Sequence, residues 1–418
     1  MSESTDVVVV GAGQAGLVVS YLLTQANIHH LVLERGDIGE SWRSQRWDSF
    51  CLNTPNWSNG LVGMEFHPEV PDGFGHRDQL IAYFERYART HDLPIRPHSN
   101  VTTLDNLSTG GYTLQTEVGT LHSTAVVLAT GGLSRPRVPD LARRLSADFM
   151  SVSAGTYRNP DALPDGAVVV VGSGQSGCQI VENLLSAGRH VYLCASRVGR
   201  VPRVYRGRDI VDWMRNMGFL EVKVDELEDP SLQFAAQPQV SGTDGGHTVS
   251  LQSLARDGAT LLGRVLDVDG HILKLDDNFQ DYIDFADEKS QDFKAAIDNF
   301  IERNGIDADA PLLDPGEPAY LDLEGSDDID TLDLRRSGVA SVIWCTGYDA
   351  DWSWVRVDVF DERGQPRHRA GITECPGLYF IGLPWLTKRK SGILYGVSED
   401  AKNIVQHIEK YLLTPQSG

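Results

Sequence analysis

Two glycine-rich turns of identical spacing are the residues in this chain best suited to hold a nucleotide. The first, Gly11–Gly16 (GAGQAG), follows the valine run Val7–Val10, and the second, Gly172–Gly177 (GSGQSG), follows Ala167–Val171. In a G-x-G-x-x-G turn the first glycine allows a tight bend, the second lets the backbone approach a pyrophosphate, and the third lets the next helix pack on the strand. The N-terminus of that helix offers N–H groups to the pyrophosphate. The sequence therefore predicts two dinucleotide-binding units.

The residue that ends the second strand of each unit indicates which nucleotide the unit takes. Glu34 follows the predicted strand His30–Leu33, where a carboxylate accepts hydrogen bonds from a ribose diol. In the second unit the corresponding residue is Ser196, and Arg197 follows it. A hydroxyl and a guanidinium bind a 2′-phosphate that a carboxylate would repel. We therefore expect FAD at the first unit and NADPH at the second.

Further arginines lie downstream of Arg197, in an otherwise acidic chain. They either extend a positive patch around the 2′-phosphate or form an ordinary solvated run, and the sequence leaves both interpretations open. These residues are Arg200, Arg203, Arg206 and Arg208.

Two further strands end in small-residue turns and predict the crossings between the units. They are Val126–Gly132 (VVLATGG) and Val342–Tyr348 (VIWCTGY). Backbone at Gly131 and Gly347 is expected to lie against a cofactor, because glycine permits close approach. The predicted fold class is α/β with two Rossmann-like dinucleotide-binding domains, in which the FAD domain is interrupted by an inserted NADPH domain.

The expected domain boundaries follow from these crossings. Residues 1–160 form the first part of the FAD domain, 161–335 the NADPH domain with a helical insertion, and 336–418 the second part of the FAD domain. Apolar spacing from Asp276 to Arg303 predicts the insertion helix, and Gly305 is its expected stop. A last strand, Gly377–Gly382, and a helix from Ser398 to about Leu412 close the fold.

Composition excludes several other functions. The 37 basic and 58 acidic residues give a net charge of −21, which would repel a nucleic acid. No apolar run has the roughly 18–20 residues of a membrane span, and the polar N-terminus lacks the pattern of a signal peptide, so we expect a cytoplasmic protein. The histidines show no metal-site spacing, and no metal is expected. The five cysteines form no CxxC pair. Two dinucleotide sites without such a dithiol indicate hydride transfer from NADPH to a flavin.

Several segments resemble the class B flavin-containing monooxygenases, and more closely a bacterial subgroup of CzcO-like flavoproteins. They are Gly39–Arg43 (GESWR), Asn53-Thr54, Ala129-Thr130-Gly131 and Tyr157–Pro160 (YRNP), together with the paired glycine turns. The resemblance covers nearly the whole length. It implies an NADPH-dependent monooxygenase that oxygenates a nitrogen or sulfur centre of a small metabolite through a flavin C4a-hydroperoxide, with molecular oxygen as co-substrate.

The resemblance also implies residue roles. Asn53 becomes the candidate catalytic hydrogen-bond donor near the flavin C4a, although a turn residue before Thr54-Pro55 is the alternative. The expected cofactor-binding residues are Gly11, Gly13, Gln14, Ala15, Gly16, Glu34, Arg35, Trp42, Arg43, Thr54, Val101, Thr130, Gly131, Gly172, Gly174, Gln175, Ser176, Gly177, Ser196, Arg197, Thr346, Gly347 and Gly382.

One family segment is altered in this chain. The family fingerprint F-x-G-x-x-x-H falls on Ala147, Phe149 and Ser153, and only the aromatic residue beyond it, Tyr157, is kept. Two alternatives therefore stay open: an NADPH oxidase that releases hydrogen peroxide, and a non-catalytic flavoprotein. The complete second glycine turn and Arg197 argue against the latter. The sequence leaves both a monomer and a homodimer open.

Overall fold

Two sheets organise the chain, and each contains one of the valine runs; the first is mixed and the second is parallel. The computed structural model describes residues 3–67, 69–108, 110–229, 233, 238–317 and 329–414. The α-helices in this part are α1 (Gln14–Gln25), α2 (Glu40–Ser44), α3 (Arg77–Thr90), α4 (Gln175–Ser186), α5 (Ile210–Asn216), α6 (Leu251–Arg256), α7 (Phe279–Asn304) and α8 (Leu394–Leu413). The strands are β1 (Glu3–Val10), β2 (His30–Leu33), β3 (Ile95–Arg96), β4 (Val101–Asn106), β5 (Tyr112–Thr116), β6 (Gly119–Leu128), β7 (Arg135–Pro136), β8 (Met150–Ser153), β9 (Ala167–Val171), β10 (Val191–Cys194), β11 (Val204–Tyr205), β12 (Arg208–Asp209), β13 (Thr260–Leu262), β14 (Val265–Asp269), β15 (Ile272–Leu275), β16 (Thr331–Asp333), β17 (Val339–Trp344), β18 (Tyr348–Asp349) and β19 (Leu378–Phe380).

The first sheet has the strand order β3-β2-β1-β6-β5-β4, and β19 also pairs with β6. Because β6 is long, it pairs with both β5 and β19. Its first half pairs antiparallel with β5, and its second half pairs parallel with β19. The valines at the end of β1 are buried, as expected for a parallel strand covered on both faces. Helix α8 packs against α1, so the C-terminal part of the chain returns to the first nucleotide unit.

The second sheet has the order β13-β10-β9-β17-β8, and all of its pairs are parallel. It repeats the plan of the first sheet, because β9 runs into the second glycine turn and α4 follows. The predicted α/β class with two Rossmann-like units is therefore confirmed.

Two strands pair within a different sheet from the one that the expected domain boundaries assign to them. β8 lies within 1–160 and β17 within 336–418, yet both pair in the second sheet, where Ser341–Trp344 align with Met150–Ser153. The valine-rich β9 needs a parallel neighbour on each side, and β17 supplies the second one. We therefore propose that the chain leaves the first unit before β8 and returns to it after β17.

The two predicted crossings run side by side. β7, which follows the Gly131 turn, pairs antiparallel with β18, which follows the Gly347 turn. Gly131 and Gly347 have φ angles of +75° and +97°, a region that side chains avoid. Both connections between the sheets therefore pass through one two-stranded ribbon.

The insertion helix is found where the apolar spacing predicted it. Helix α7 ends at Asn304, and Gly305 caps it with a φ of +58°. Helix α8 begins at Leu394, earlier than the predicted Ser398, because Leu394 and Val397 already pack in the core. Among the described residues, no helix is long and apolar enough to cross a membrane.

Candidate nucleotide and flavin site

In the first glycine turn, two glycines allow close packing and one leaves space for a ligand. A Cβ on Gly11 would lie 2.8 Å from the carbonyl oxygen of Ala129, and a Cβ on Gly16 would lie 1.8 Å from that of Gly11. A Cβ on Gly13 would meet nothing within 4 Å. Gly13 is also the N-cap of α1, without a side-chain hydrogen bond to the helix end. The turn therefore presents open space and free N–H groups where a pyrophosphate would bind.

The second glycine turn has the same geometry. A Cβ on Gly172 would lie 2.6 Å from the carbonyl oxygen of Cys345, and a Cβ on Gly177 would lie 1.9 Å from that of Gly172. Gly174 again faces open space and caps α4 without a side-chain bond. Ser176, in the first turn of α4, is partly exposed. The two turns are thus equivalent sites in shape.

The glutamine in each turn binds a distant loop through its side chain. Gln14 Nε2 donates to the carbonyl oxygen of Gly392 at 2.8 Å. Gln175 Nε2 donates to the carbonyl oxygen of Val240 at 2.7 Å, and its Oε1 accepts from the Val240 N–H at 3.1 Å. Both were predicted to bind a cofactor. Each glutamine uses one side-chain N–H in these bonds, so its backbone N–H and its second side-chain N–H remain for a phosphate.

Glu34 is buried at the end of β2. Its carboxylate accepts hydrogen bonds from the N–H groups of Ala12 at 2.6 Å and Gly36 at 3.1 Å. Burial raises the pKa of Glu34, and these two hydrogen bonds oppose that shift. A carboxylate has about four acceptor positions, so two more are left for a ribose diol. The neighbouring Arg35 is exposed.

Arg197 lies exposed at the corresponding place in the second unit. Its guanidinium stacks 4.3 Å from the ring centroid of Phe285, and within the described ranges it pairs with no carboxylate. Ser196 is fixed by its backbone, since its N–H donates to Ser173 Oγ at 3.0 Å. A planar, unpaired guanidinium beside the second glycine turn suits a 2′-phosphate.

Three of the four downstream arginines are neutralised and do not extend this patch. Arg200 is buried between Asp287 and Glu317, Arg203 is buried against Asp209, and Arg206 pairs with Asp298. Arg208 stacks on Trp213. The solvated-run interpretation is also wrong for Arg200 and Arg203, because both side chains are buried and paired with carboxylates.

Asn53 lies between the two nucleotide units. Its side-chain Oδ1 accepts a hydrogen bond from Gln179 Nε2, on α4, at 2.8 Å. Its backbone oxygen accepts from Arg203 Nη1 at 2.7 Å. Gln179 is buried and holds the carboxamide in one orientation. In the part of the chain that the structure describes, the Asn53 side-chain NH₂ has no acceptor, so it is free to donate to a ligand.

Several residues expected at the flavin have contacts within the protein. Thr54 donates to Asn59 Oδ1 at 2.6 Å, and Arg43 pairs with Glu85 and donates to the Ile38 carbonyl oxygen. Val101 is buried at the start of β4. These contacts show how the segments are fixed, and they leave the predicted cofactor contacts of these residues as predictions.

Trp42 lies beside an arginine that the motifs did not indicate. The Arg46 guanidinium is 5.3 Å from the Trp42 ring centroid and 5.7 Å from that of Tyr348. Burial lowers the pKa of Arg46, and it pairs with no carboxylate among the described residues. In the sequence, the four-residue spacing between Trp42 and Arg46 could have indicated this contact. Arg46 thus adds a positive charge beside the two-stranded ribbon.

The remaining predicted contacts lie at strand ends. Thr130 and Gly131 follow β6. Thr346 donates to the Arg137 carbonyl oxygen, and the Gly347 carbonyl oxygen accepts from the Arg137 N–H at 2.8 Å. A Cβ on Gly382 would lie 3.0 Å from the Cβ of Ala15. The end of the last strand therefore meets the first turn of α1, next to the first nucleotide site.

The altered fingerprint has a structural role in this chain. Tyr157 is buried and donates to Asn183 Oδ1, on α4, at 2.7 Å. Ser153 ends β8 and interacts with Thr156. Phe149 is buried in the core of the second sheet. These residues attach the first crossing to the second unit.

Comparisons with known proteins agree with this arrangement. Residues 8–216 match the family model described as pyridine nucleotide-disulphide oxidoreductase. A CzcO-like oxidoreductase of Geobacillus kaustophilus is 31% identical over 411 residues, which cover 98% of this chain and 99% of that protein. The chain belongs to this oxidoreductase family.

Solved structures with the same fold include flavin monooxygenases. A flavin-containing monooxygenase from Stenotrophomonas maltophilia matches with a TM-score of 0.67 at 16% identity, over 98% of this chain and 99% of that one. A complex of OTEMO with FAD and NADP matches with a TM-score of 0.57 at 14% identity, over 98% and 86% of the two chains. The expected oxidoreductase family is therefore confirmed, and the chain shares its fold with flavin monooxygenases.

The family name refers to disulphides, but the thiols of this oxidoreductase are poorly suited to exchange. All five cysteines are free. Burial raises the pKa of Cys51 to about 11 and the pKa values of Cys194 and Cys345 to about 12, and it also raises that of Cys178. A nucleophilic cysteine is a thiolate. These thiols therefore stay protonated near neutral pH.

A histidine–glutamate pair in this oxidoreductase fixes the loop beside α4 and predicts a pH-dependent stability. Glu182 accepts from His247 Nε2 and thereby raises the pKa of His247. A raised folded pKa contributes stability that is complete below the unfolded value of about 6.5 and is lost as the pH rises through the folded pKa. The difference in Tm between the parent and His247→Gln should therefore be largest at about pH 5.5 and should fall as the pH rises toward about pH 9.

The control is His98→Gln, which alters a largely exposed histidine at 3.4 Å from Asp37. It should show little change in Tm at either pH. A Tm difference for His247→Gln that stays constant across this range would contradict the assignment.

Proposed function

We propose that the chain is an NADPH-dependent flavin monooxygenase that oxygenates a nitrogen or sulfur centre of a small metabolite. The observation that carries this proposal is the orientation of Asn53. Its carboxamide oxygen is held by Gln179, on the helix of the second unit, and its NH₂ has no acceptor among the described residues. A donor held in advance at the reacting centre stabilises charge that develops there.

The residues present fit FAD at the first unit. Gly13 leaves room for the pyrophosphate, and the uncapped start of α1 supplies N–H groups. Glu34 has acceptor positions left for the ribose hydroxyls. Arg46 lies against the rings of Trp42 and of Tyr348 in the two-stranded ribbon, where it supplies a positive charge. Bound FAD would accept a hydride and pass the electrons to molecular oxygen.

The second unit fits NADPH by the same criteria. Gly174 leaves open space, α4 begins without a side-chain cap, and Arg197, beside Ser196, pairs with no carboxylate in the described part of the chain. Gln179 lies on α4, one turn beyond this site. It therefore connects the nucleotide site of the second unit to the Asn53 amide.

Asn53 suits an oxygenase better than an acidic group would. A neutral amide donates a hydrogen bond without giving up its proton. A carboxylic acid or imidazolium at the same place would protonate the leaving oxygen and favour release of hydrogen peroxide. The Arg203 contact to the Asn53 carbonyl oxygen fixes the backbone as well, so the donor is held from both sides.

The thiols support oxygen as the electron acceptor. The five cysteines are unpaired, and burial raises the pKa of four of them well above neutrality. A reduced flavin therefore finds no reactive dithiol in this chain, which favours an external acceptor. Free cysteines also agree with a reducing compartment, and we propose a cytoplasmic location.

Arg197 is proposed to select NADPH over NADH by about tenfold or more, which is roughly 1.4 kcal/mol. One charge-assisted hydrogen bond to the 2′-phosphate supplies about 1.5–3 kcal/mol. Arg197→Ala should raise the KM for NADPH by about tenfold and leave that for NADH nearly unchanged. Steady-state flavin reduction with each nucleotide measures this difference.

The matched control is Arg35→Ala in FAD-saturated enzyme. Arg35 is exposed and occupies the equivalent place after β2 in the first unit, so this change should preserve the ratio of the two KM values. An equal loss for NADPH and NADH in Arg197→Ala would show that Arg197 has a structural role only.

A substrate panel tests the oxygenase directly. Amines, thioethers, oximes and indoles are incubated with enzyme, NADPH and ¹⁸O₂, and products are analysed by mass spectrometry. The proposal predicts a member that stimulates NADPH oxidation and gains one ¹⁸O atom at nitrogen or sulfur. NADPH oxidation that yields only hydrogen peroxide with every compound would support an oxidase instead.

A further inference from the structure

The insertion helix α7 places an aromatic ring against Arg197. Phe285, in the first part of α7, is partly exposed, and the Arg197 guanidinium carbon lies 4.3 Å from the centroid of its ring. Arg197 follows β10, whereas Phe285 belongs to the insertion, so the contact joins two separate parts of the second unit. A ring from the insertion therefore borders the site proposed for the 2′-phosphate of NADPH.

A buried arginine fixes α7 at this place. Arg200, three residues after Arg197, donates to Asp287 Oδ1 at 2.7 Å and to Ser290 Oγ at 3.2 Å, and both acceptors are on α7. The Arg200 side chain is buried, and breaking a buried charge pair is costly. The position of Phe285 beside Arg197 is therefore set by these contacts and not by the two side chains alone.

The contact with the ring leaves the donors of Arg197 available. An aromatic face attracts a guanidinium through its quadrupole, without a carboxylate or a carbonyl oxygen that would accept its N–H groups. Arg197 is exposed, and within the described ranges none of its five N–H groups has an acceptor. Phe285 thus restricts the orientation of Arg197 while its donors stay free for an anion.

Lys289 contacts the same ring but is already neutralised. Its Nζ lies 5.6 Å from the Phe285 ring centroid, and it pairs with Asp292 at 2.9 Å and with Glu288 at 3.5 Å. Arg197 pairs with no carboxylate in the described part of the chain. Of the two cations on this ring, Arg197 is therefore the one whose charge is available to a ligand.

A fixed orientation increases the affinity of an arginine for a phosphate. A long side chain on the surface samples many rotamers, and binding has to restrict them at a cost in free energy. A bidentate contact with a phosphate also needs the guanidinium in a defined plane. A residue that holds Arg197 in advance strengthens binding of a nucleotide with a 2′-phosphate and leaves a nucleotide without this phosphate unaffected.

We propose that Phe285 is a positioning residue for NADPH specificity, whose ring orients Arg197 for the 2′-phosphate. The insertion helix then takes part in the selection of NADPH over NADH. This inference rests on the proposed NADPH site and identifies a further residue that acts in it. The alternative for this ring is direct stacking on the adenine, which would strengthen the binding of both nucleotides alike.

The test compares two ligands that differ only in the 2′-phosphate, NADP⁺ and NAD⁺. Their binding to oxidised, FAD-saturated enzyme is measured by titration calorimetry and by the change in the flavin spectrum. The parent should bind NADP⁺ at least about tenfold more tightly. Phe285→Leu should reduce this ratio by about two- to fivefold, which is the contribution of one cation–π contact at an exposed site, and should leave the Kd of NAD⁺ unchanged.

Further variants assign the effect to the ring and to Arg197. Phe285→Tyr keeps the aromatic face and should retain the parental ratio. In an Arg197→Ala background, Phe285→Leu should not change the ratio further, because the residue that it positions is absent. The control Phe300→Leu alters another partly exposed phenylalanine of α7 and should match the parent. A partial loss of folded protein affects both nucleotides equally and leaves the ratio unchanged.

Three results would overturn the proposal. Equal losses of NADP⁺ and NAD⁺ affinity in Phe285→Leu would show that the ring stacks on the adenine. An unchanged ratio in this variant would show that Arg197 needs no positioning, while the parental preference would still support the NADPH site. Equal binding of both nucleotides by the parent would remove the 2′-phosphate site itself. Because no turnover occurs, failure of the monooxygenase function would appear separately, as peroxide release with the NADP⁺ preference intact.

Discussion

A Gly13→Val variant is expected to fold normally and to purify without FAD. A Cβ at this position meets no protein atom within 4 Å, and the φ of −83° suits a β-branched residue. The added side chain would occupy only the space in which the pyrophosphate binds. FAD affinity should fall by at least about a hundredfold, roughly 2.8 kcal/mol, as measured by flavin absorbance after reconstitution and by circular dichroism of the fold.

The equivalent change in the second turn provides the matched control. Gly174→Val has the same open surroundings and should keep FAD while losing NADPH. Gly16→Val should behave differently, because its Cβ would lie 1.8 Å from the Gly11 carbonyl oxygen and would disturb the packing of α1. A Gly13→Val protein that retains yellow FAD at parental affinity would show that the pyrophosphate binds elsewhere.

Asn53→Ala should convert the enzyme from oxygenation to peroxide release. FAD binding and reduction by NADPH should stay close to the parental values, because the one hydrogen bond of the Asn53 side chain within the described structure is with Gln179. Removing one donor of this kind costs about 10²–10³-fold in the step it assists. Product formed per NADPH should fall accordingly, and hydrogen peroxide should rise to match the NADPH oxidised.

Gln179→Met tests the orientation rather than the presence of this donor. The change keeps the volume and removes the N–H that holds Asn53 Oδ1, so the carboxamide is free to rotate. We expect an intermediate loss of coupling with an unchanged KM for NADPH. Ser49→Ala, in the exposed part of the same loop, should remain fully coupled. Parental coupling in both Asn53→Ala and Gln179→Met would contradict the role given to Asn53.

Much of the fold was predictable because its signals are local. Each nucleotide unit is specified by a valine run, a glycine turn and the residue after the next strand, all within a short stretch of chain. The glycine roles are also local, because the third glycine of each turn packs on the first. The end of α7 at Gly305 is also a local signal, since a left-handed cap is a property of one residue.

The parts that could not be predicted depend on contacts between distant segments. Gln179 reaches Asn53 across 126 positions, and Arg200 finds Asp287 across 87. Nothing in the spacing around Arg200 indicated that carboxylates would neutralise it. The domain boundaries were hard to predict for the same reason. β8 and β17 are short strands, and the strands beside them decide which sheet they join.

The oxygen balance of NADPH oxidation, measured with an oxygen electrode, tests the central claim most directly. Enzyme, NADPH and a substrate identified by the panel are allowed to consume oxygen, and catalase is then added. A monooxygenase transfers one oxygen atom to the substrate and reduces the other to water, so we predict that catalase returns no oxygen. Return of half of the oxygen consumed would show that all of the electrons went to hydrogen peroxide, and it would contradict the monooxygenase assignment.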